Sequence, residues 1–162
     1  SQIAKDLSLI NVSGKTRVGY DVKELIDVLE NSLGFRNSHK AVIFGVGSLG
    51  GALLRDKGLS QYGLEIVAGF DVSPDIRGEI YGIPVYNKSQ FMTIQKDLDV
   101  SIGILTVPID SAQEVSELMI KGGIKAIWNF TPFRITVPDN IVVQNTSIYA
   151  HLALMFNRLN NL

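Results

Sequence analysis

The stretch Lys40-Ala41-Val42-Ile43-Phe44-Gly45-Val46-Gly47-Ser48-Leu49-Gly50-Gly51-Ala52-Leu53-Leu54-Arg55 decides the fold. Its first five residues form a short apolar strand pattern. The next six spell G-x-G-x-x-G, and the last five open a helix. A second strand pattern, residues 64–70, follows and ends on an acid, Asp71, about 20 residues beyond the turn. A lone glycine motif is weak evidence. Strand, motif, helix, strand and terminal acid in this order make a dinucleotide-binding fingerprint.

Each glycine has a separate reason. Gly45 permits the tight strand-to-helix turn, Gly47 lets backbone approach a pyrophosphate, and Gly50 lets helix and strand pack closely. Val46, Ser48 and Leu49 complete the turn. The helix start offers free N–H groups and a positive dipole end to phosphates. Asp71, with Val72 beside it, is placed to accept hydrogen bonds from a ribose diol. Its negative charge would repel a 2′-phosphate, so NAD(H) is expected over NADP(H). The bland alternative is a glycine-rich turn without a ligand, and the position of Asp71 argues against it.

The chain has 162 residues, 46% of them hydrophobic, enough for one full domain plus a fragment. No apolar run reaches the ~18–20 residues of a membrane span, and no signal peptide is visible. Cysteine is absent, which removes disulfides, thiolate metal sites and cysteine nucleophiles. A cytoplasmic protein is expected, with no metal and no membrane partner. The net charge of −1 gives no bulk attraction to nucleic acid. Any DNA contact needs a local basic patch.

Strand and helix signals alternate from Lys40 onward. Strands are expected at residues 41–44, 64–70, 84–86, 100–105, 126–129 and 141–145. Helices are expected at residues 49–57, 89–96 and 112–121. This alternation, with near-continuous apolar strands, predicts an α/β domain over residues 36–145: a Rossmann-like, doubly wound parallel sheet. Residues 1–35 differ. Residues 1–9 read as a short helix, residues 14–20 as a glycine-bounded hairpin tip with two bases, and residues 22–33 as a helix capped by Asp21. Leu25, Val28, Leu29 and Leu33 give that helix one apolar stripe. The segment is too small for a core of its own.

Residues 146–162 form the last unit. Asn145, Thr146 and Ser147 are a helix-start cluster. Ile148, Leu152, Met155, Phe156 and Leu159 then recur at helical spacing, widened by Tyr149, Ala153 and Leu154. Such a helix should not face water. It packs either on its own sheet or into a partner subunit, and the partner is favoured.

The chain resembles the Rex redox-sensing transcriptional repressors over essentially its whole length. The resemblance is carried by Phe44 to Gly50, by Ala68-Gly69-Phe70-Asp71-Val72 and by Tyr81-Gly82-Ile83-Pro84-Val85-Tyr86. It continues through Ile104-Leu105-Thr106-Val107-Pro108 and Gly123-Ile124-Lys125-Ala126-Ile127-Trp128-Asn129-Phe130-Thr131-Pro132. In front, Gln2-Ile3-Ala4-Lys5-Asp6-Leu7-Ser8 looks like the family's recognition helix and Gly14 to Tyr20 like its wing. The resemblance implies a winged-helix domain that reads operator DNA, a Rossmann domain that binds NADH or NAD⁺, and a final helix exchanged between subunits of a homodimer. NADH is implied to close the dimer and release DNA. Gln2, Lys5, Lys15 and Arg17 are the implied DNA contacts, and residues 1–35 the implied winged-helix remnant.

The implied nicotinamide side is Thr106-Val107-Pro108 and Asn129-Phe130-Thr131-Pro132, which close two strands in the half of the crevice away from Asp71. Ile148 matches a hydrophobic family position that reaches the partner's nicotinamide pocket. Three positions depart from the family pattern. Ala4 stands where relatives usually carry a base. Ile76 stands where they often carry lysine, leaving Arg77 as the nearest base on the adenine side. Ser147 stands where they usually carry an acid linked to the DNA-binding domain. The chain also begins inside the implied recognition helix, so nucleotide binding without specific operator binding is expected of it.

Two other functions suit the same fold. A dehydrogenase needs an acid or base near the nicotinamide. His39 precedes the first strand, at the wrong end of the sheet, and His151 lies in the apolar tail. No catalytic residue is therefore expected. A CoA-binding domain of the acyl-CoA ligase type is the other alternative. Such domains lack an acid in the role of Asp71 and usually break the second-glycine spacing.

Overall fold

A computed structural model of the chain describes residues 2–9, 19–76 and 78–161. Seven strands form one sheet: β1 (His39–Phe44), β2 (Leu64–Asp71), β3 (Gly78–Ile80), β4 (Ile83–Asn87), β5 (Ile102–Leu105), β6 (Ala126–Asn129) and β7 (Val142–Asn145). Their spatial order is β3-β4-β2-β1-β5-β6-β7. Every pairing is parallel except that of β3 with β4. The chain starts at the centre, builds outward through β2 and β4, then crosses back to lay β5 on the free side of β1. Strand order therefore reverses between β1 and β5, which opens a crevice at their carboxyl ends.

Among the described residues seven α-helices accompany the sheet: α1 (Gln2–Leu9), α2 (Val22–Ser32), α3 (Ser48–Arg55), α4 (Gly58–Gln61), α5 (Phe91–Leu98), α6 (Ala112–Lys121) and α7 (Ile148–Leu159). Alternation along β1 sends Val42 and Phe44 to one face, and Ala41 and Ile43 to the other. On the first face they join Phe91 of α5 and Val115 and Met119 of α6. On the second they join Val46 and Leu54. Both faces are covered, which is why the strands read as continuous apolar runs.

Three phenylalanines lock the first face. Phe44 and Phe70 stack at 5.0 Å, and Phe91 meets both edge-on, at 4.8 and 5.1 Å. Each buried ring contributes about 1.5–3 kcal/mol through burial. Gly122 makes room for the third: a Cβ there would lie 2.3 Å from the Phe91 ring.

The structure shifts several expected boundaries. Helix α3 stops at Arg55, because Asp56 is extended and its carboxylate accepts the Gly58 N–H at 2.8 Å, starting α4. Helix α5 starts at Phe91 instead of Ser89. The Asn87 side chain accepts the Ser89 N–H, and Gln90 accepts the Asn87 N–H, which makes a capped 3₁₀ turn over Lys88–Gln90 first. Strand β3 carried no expectation. It is a three-residue edge strand joined to β4 by Tyr81 and Gly82, both at positive φ, as two-residue hairpin turns require. Of the expected hairpin tip at residues 14–20, residues 14–18 lie outside the described residues, and Lys15 and Arg17 with them. Arg77 also lies outside.

Helices α1 and α2 form as expected. The Asp21 carboxylate accepts the N–H groups of Lys23 and Glu24 at 2.9 and 3.1 Å. Neither α2 nor α7 has a buried residue. Of the two packings open to the apolar tail, the one onto its own sheet is not adopted.

Candidate functional site

The glycine turn hangs between two strands. On one side the Gly45 N–H donates to the Phe70 carbonyl at 2.9 Å, and the Val46 N–H donates to Asp71 Oδ2 at 2.7 Å. On the other, the Thr106 N–H donates to the Phe44 carbonyl at 2.9 Å, and its hydroxyl lies 2.7 Å from the Gly45 carbonyl. The turn is thus fixed to β2 and to β5 across the point where strand order reverses.

Its three glycines are needed for three different reasons. Gly45 has φ +89, and a Cβ would lie 2.7 Å from the Thr106 carbonyl oxygen. At Gly50 a Cβ would come within 1.9 Å of the Gly45 carbonyl oxygen, so the helix crosses the turn with no room for a side chain. At Gly47 nothing lies within 4 Å. That open space is what a ligand approaching the backbone requires. Behind it, α3 begins at Ser48, and its first N–H groups have no partner within the helix. They and the helix dipole favour an anion at this spot.

In front of the turn lies a cavity of about 530 Å³, within the usual size range of ligand pockets. The carboxyl ends of β1, β2 and β5 supply Phe44, Gly45, Gly47, Phe70, Asp71, Val72, Thr106, Val107 and Pro108; the remaining wall is Ile76, Lys88, Ser111 and Val115. Asp71 Oδ1 accepts the Ser73 N–H at 2.8 Å, so each carboxylate oxygen holds one backbone donor. A carboxylate has about four acceptor positions, which leaves room for a diol.

The structure brings together Gly45, Gly47, Asp71, Val72, Thr106, Val107 and Pro108 as expected. Val46 instead turns its side chain into the core, and Gly50 is buried in packing. Ser48 and Leu49 sit on the first turn of α3. Thr106 to Pro108 share one cavity with Asp71; the expectation placed them in the other half of the crevice. β5 lies directly beside β1, so its end reaches the same hollow.

Asn129, Phe130, Thr131, Pro132 and Ile148 do not line this cavity. Strand β6 lies one position farther along the sheet. The fully buried Asn129 amide donates to the Phe133 carbonyl at 2.8 Å and to Asn145 Oδ1 at 2.9 Å. Its oxygen accepts the Thr131 N–H and hydroxyl, at 3.0 and 2.8 Å. All four hydrogen-bonding positions are used within the protein. The side chain ties β6 to its following loop and to β7 and keeps nothing free for a ligand. The ring of Phe130 packs on Trp128 at 4.6 Å.

Sequence reasoning missed Phe44, Phe70, Lys88, Ser111 and Val115, and marked Ile76 only as a place where relatives often carry lysine. Lys88 was within reach: it follows the end of β4, and a strand's carboxyl end in such a sheet is where ligand contacts arise. Finding it required knowing that β4 lies next to β2.

The helix α7 is held at its root. The Ser147 hydroxyl accepts the Ala150 N–H at 3.1 Å, the Thr146 N–H donates to the Asn129 carbonyl at 2.8 Å, and Trp128 Nε1 donates to the Thr146 hydroxyl at 2.9 Å. Beyond that root, Leu152, Met155, Phe156 and Leu159 are exposed. At the front, Gln2 and Lys5 are exposed on α1, where Gln2 Nε2 donates to Asp6 at 2.9 Å. His39 opens β1, at the end of the sheet opposite the cavity, and His151 lies on α7 with Nδ1 2.8 Å from the Ser147 carbonyl oxygen. Among the described residues no acidic, histidine or cysteine cluster suits a metal ion, and no helix is long and apolar enough to cross a membrane.

Comparison with known proteins gives concordant results. Residues 36–133 match the family model of the CoA binding domain. The redox-sensing transcriptional repressor Rex of Bacteroides thetaiotaomicron is 64% identical over 161 residues, 99% of this chain and 73% of that protein. The Rex of Porphyromonas gingivalis is 59% identical over 163 residues, covering 100% and 75%. Among solved structures, RSP in complex with β-NAD⁺ and operator DNA superposes with a TM-score of 0.93 at 32% identity, over 99% of this chain and 75% of that one.

Proposed function

The chain belongs to the Rex family of redox-sensing transcriptional repressors, and on that premise we propose how its parts divide the work of sensing NADH against NAD⁺. Residues 36–133 also make it a member of the CoA binding domain family. The observation that carries the reading is the glycine turn and Asp71 meeting in one cavity at the strand-order reversal. The pyrophosphate sits at Gly47 and the start of α3, and Asp71 accepts the ribose hydroxyls, which favours NADH and NAD⁺ over their 2′-phosphorylated forms. Thr106 to Pro108 wall the cavity opposite. Asn129 to Pro132 shape the next strand end from behind, with Phe130 and Pro132 nearest a nicotinamide that extends past the cavity.

Segment 1–35 is the DNA-facing part in this reading, with Gln2, Lys5, Lys15 and Arg17 toward operator DNA. Segment 146–162 pairs two copies, its exposed apolar face covered by the partner and Ile148 reaching the partner's nicotinamide. NADH binding closes that dimer and releases DNA. The cofactor is sensed and not consumed, in keeping with the relatives' name, redox-sensing transcriptional repressor. The protein works in the cytoplasm.

Calorimetry tests this directly. NADH is expected to bind this chain much more tightly than NADPH, and more tightly than NAD⁺. Equal affinities, or steady oxidation of NADH with a small carbonyl substrate, would point to an oxidoreductase domain instead. A chain extended to the length of its relatives is expected to shift an operator duplex in NAD⁺ and to release it in NADH.

A further inference from the structure

Among the described residues the cavity wall carries one charged side chain besides Asp71, and the reading above leaves it without a role. Lys88 follows directly on β4, whose last residue, Asn87, pairs with Asp71 in the sheet register. The Asn87–Gln90 capping box fixes its backbone. Its ammonium lies 2.7 Å from Glu114 Oε1, on the first turn of α6. The lysine side chain is 25% exposed and lines the cavity; the glutamate is 71% exposed and stands behind it, outside the lining. Exposed ion pairs contribute little to stability, so a structural role alone explains the arrangement poorly.

Between this pair and Asp71 the wall is apolar: Val72, Ile76, Val107 and Val115. A base attached to a ribose at Asp71 would have this slot beside it, with Lys88 as the polar group on its wall and Glu114, outside the lining, held against Lys88. Adenine offers there a ring-nitrogen acceptor, N7, beside an amino donor, N6. An ammonium donates only and a carboxylate accepts only. Side by side they complement that edge. A 6-oxo purine keeps N7 but turns the amino donor into a carbonyl acceptor, which would face the Glu114 carboxylate.

Resting on the dinucleotide reading, we infer that Lys88 and Glu114 together read the amino edge of the adenine and select it against a 6-oxo purine. Lys88 binds the ring nitrogen common to both bases and can donate to a 6-oxo group as well; the Glu114 carboxylate accepts only from the amino group and turns the balance toward adenine.

Titrating the chain with NADH and with reduced nicotinamide hypoxanthine dinucleotide tests this. NADH is expected to bind about tenfold more tightly, the equivalent of one hydrogen bond. In Glu114→Gln, whose amide can donate to the 6-oxo group, the ratio is expected to fall to near one. Lys88→Met is expected to weaken both ligands, the 6-oxo one more, and so to raise the ratio. Wild-type affinities within about twofold of each other, or an unchanged ratio in Glu114→Gln, overturn the inference. Gly47→Ala, whose Cβ meets nothing within 4 Å, separates the two readings. If it abolishes binding of both dinucleotides while the wild type does not distinguish them, only the base assignment falls. If neither dinucleotide binds the wild type, the dinucleotide reading falls and takes this one with it.

Discussion

The centre of the sheet and the tail helix α7 carry similar amounts of apolar side chain and meet opposite fates. Ile43 and Phe44 of β1 are essentially inaccessible, whereas Leu152 and Phe156 of α7 are 40% and 51% exposed. The difference lies in their neighbours. Strand β1 has β2 and β5 on its flanks and helices on both faces. Helix α7 has Thr146 and Ser147 at its root and, among the described residues, no cover beyond them. Apolar periodicity states that a surface wants to be buried; it does not state where. For α7 the answer we propose is a second copy of the chain.

The largest effect is expected at the centre. Gly50→Ala puts a methyl group where only 1.9 Å is open, against backbone that cannot give way. A loss of about 3 kcal/mol in denaturant unfolding is expected, with nucleotide binding lost as well. A wild-type midpoint would show that the turn has another packing available. The tail should respond in the opposite sense. Phe156→Asp is expected to leave the unfolding midpoint of the sheet in place and to weaken self-association by about 2–4 kcal/mol, visible as a single-chain mass in light scattering. A monomeric wild type would undo the comparison from the other side.

Smaller effects sharpen it. Asp71→Ala is expected to weaken NADH binding by about 1–3 kcal/mol in calorimetry; unchanged affinity would remove Asp71 from the ribose. Ser147→Ala deletes the cap of α7 and should cost about 1 kcal/mol, confined to faster amide exchange in the first turn of that helix. Slower exchange across β6 and β7 would be untouched.

What the sequence disclosed follows the same division. Strands β1, β2 and β6 were legible because each carries a nearly continuous apolar run, at residues 41–44, 66–70 and 126–128, with residues buried on both faces. The glycine turn and Asp71 were legible because the fingerprint fixes their spacing along the chain. Strand β3 was not: Gly78, Glu79 and Ile80 hold no apolar run, and pairing with β4 alone makes them a strand. Lys88 was missed because its neighbourhood with Asp71 is a property of strand order. Asn129 looked like a polar contact among apolar residues and is an internal knot, because the loop and strand that satisfy it come from residues 131, 133 and 145. Polar residues at strand ends cannot be assigned from the chain alone to ligand or to fold.

The bond from the Val46 N–H to Asp71 bears on any attempt to re-engineer cofactor preference. Exchanging this acid for a neutral or basic residue is the obvious route toward a 2′-phosphorylated nucleotide. Here that exchange would also strip the glycine turn of its anchor on β2 and leave a backbone donor unpaired beside the pyrophosphate. A successful redesign must supply a replacement acceptor for Val46 along with the new charge, or the gain at the ribose will be offset by a slack turn a few ångströms away.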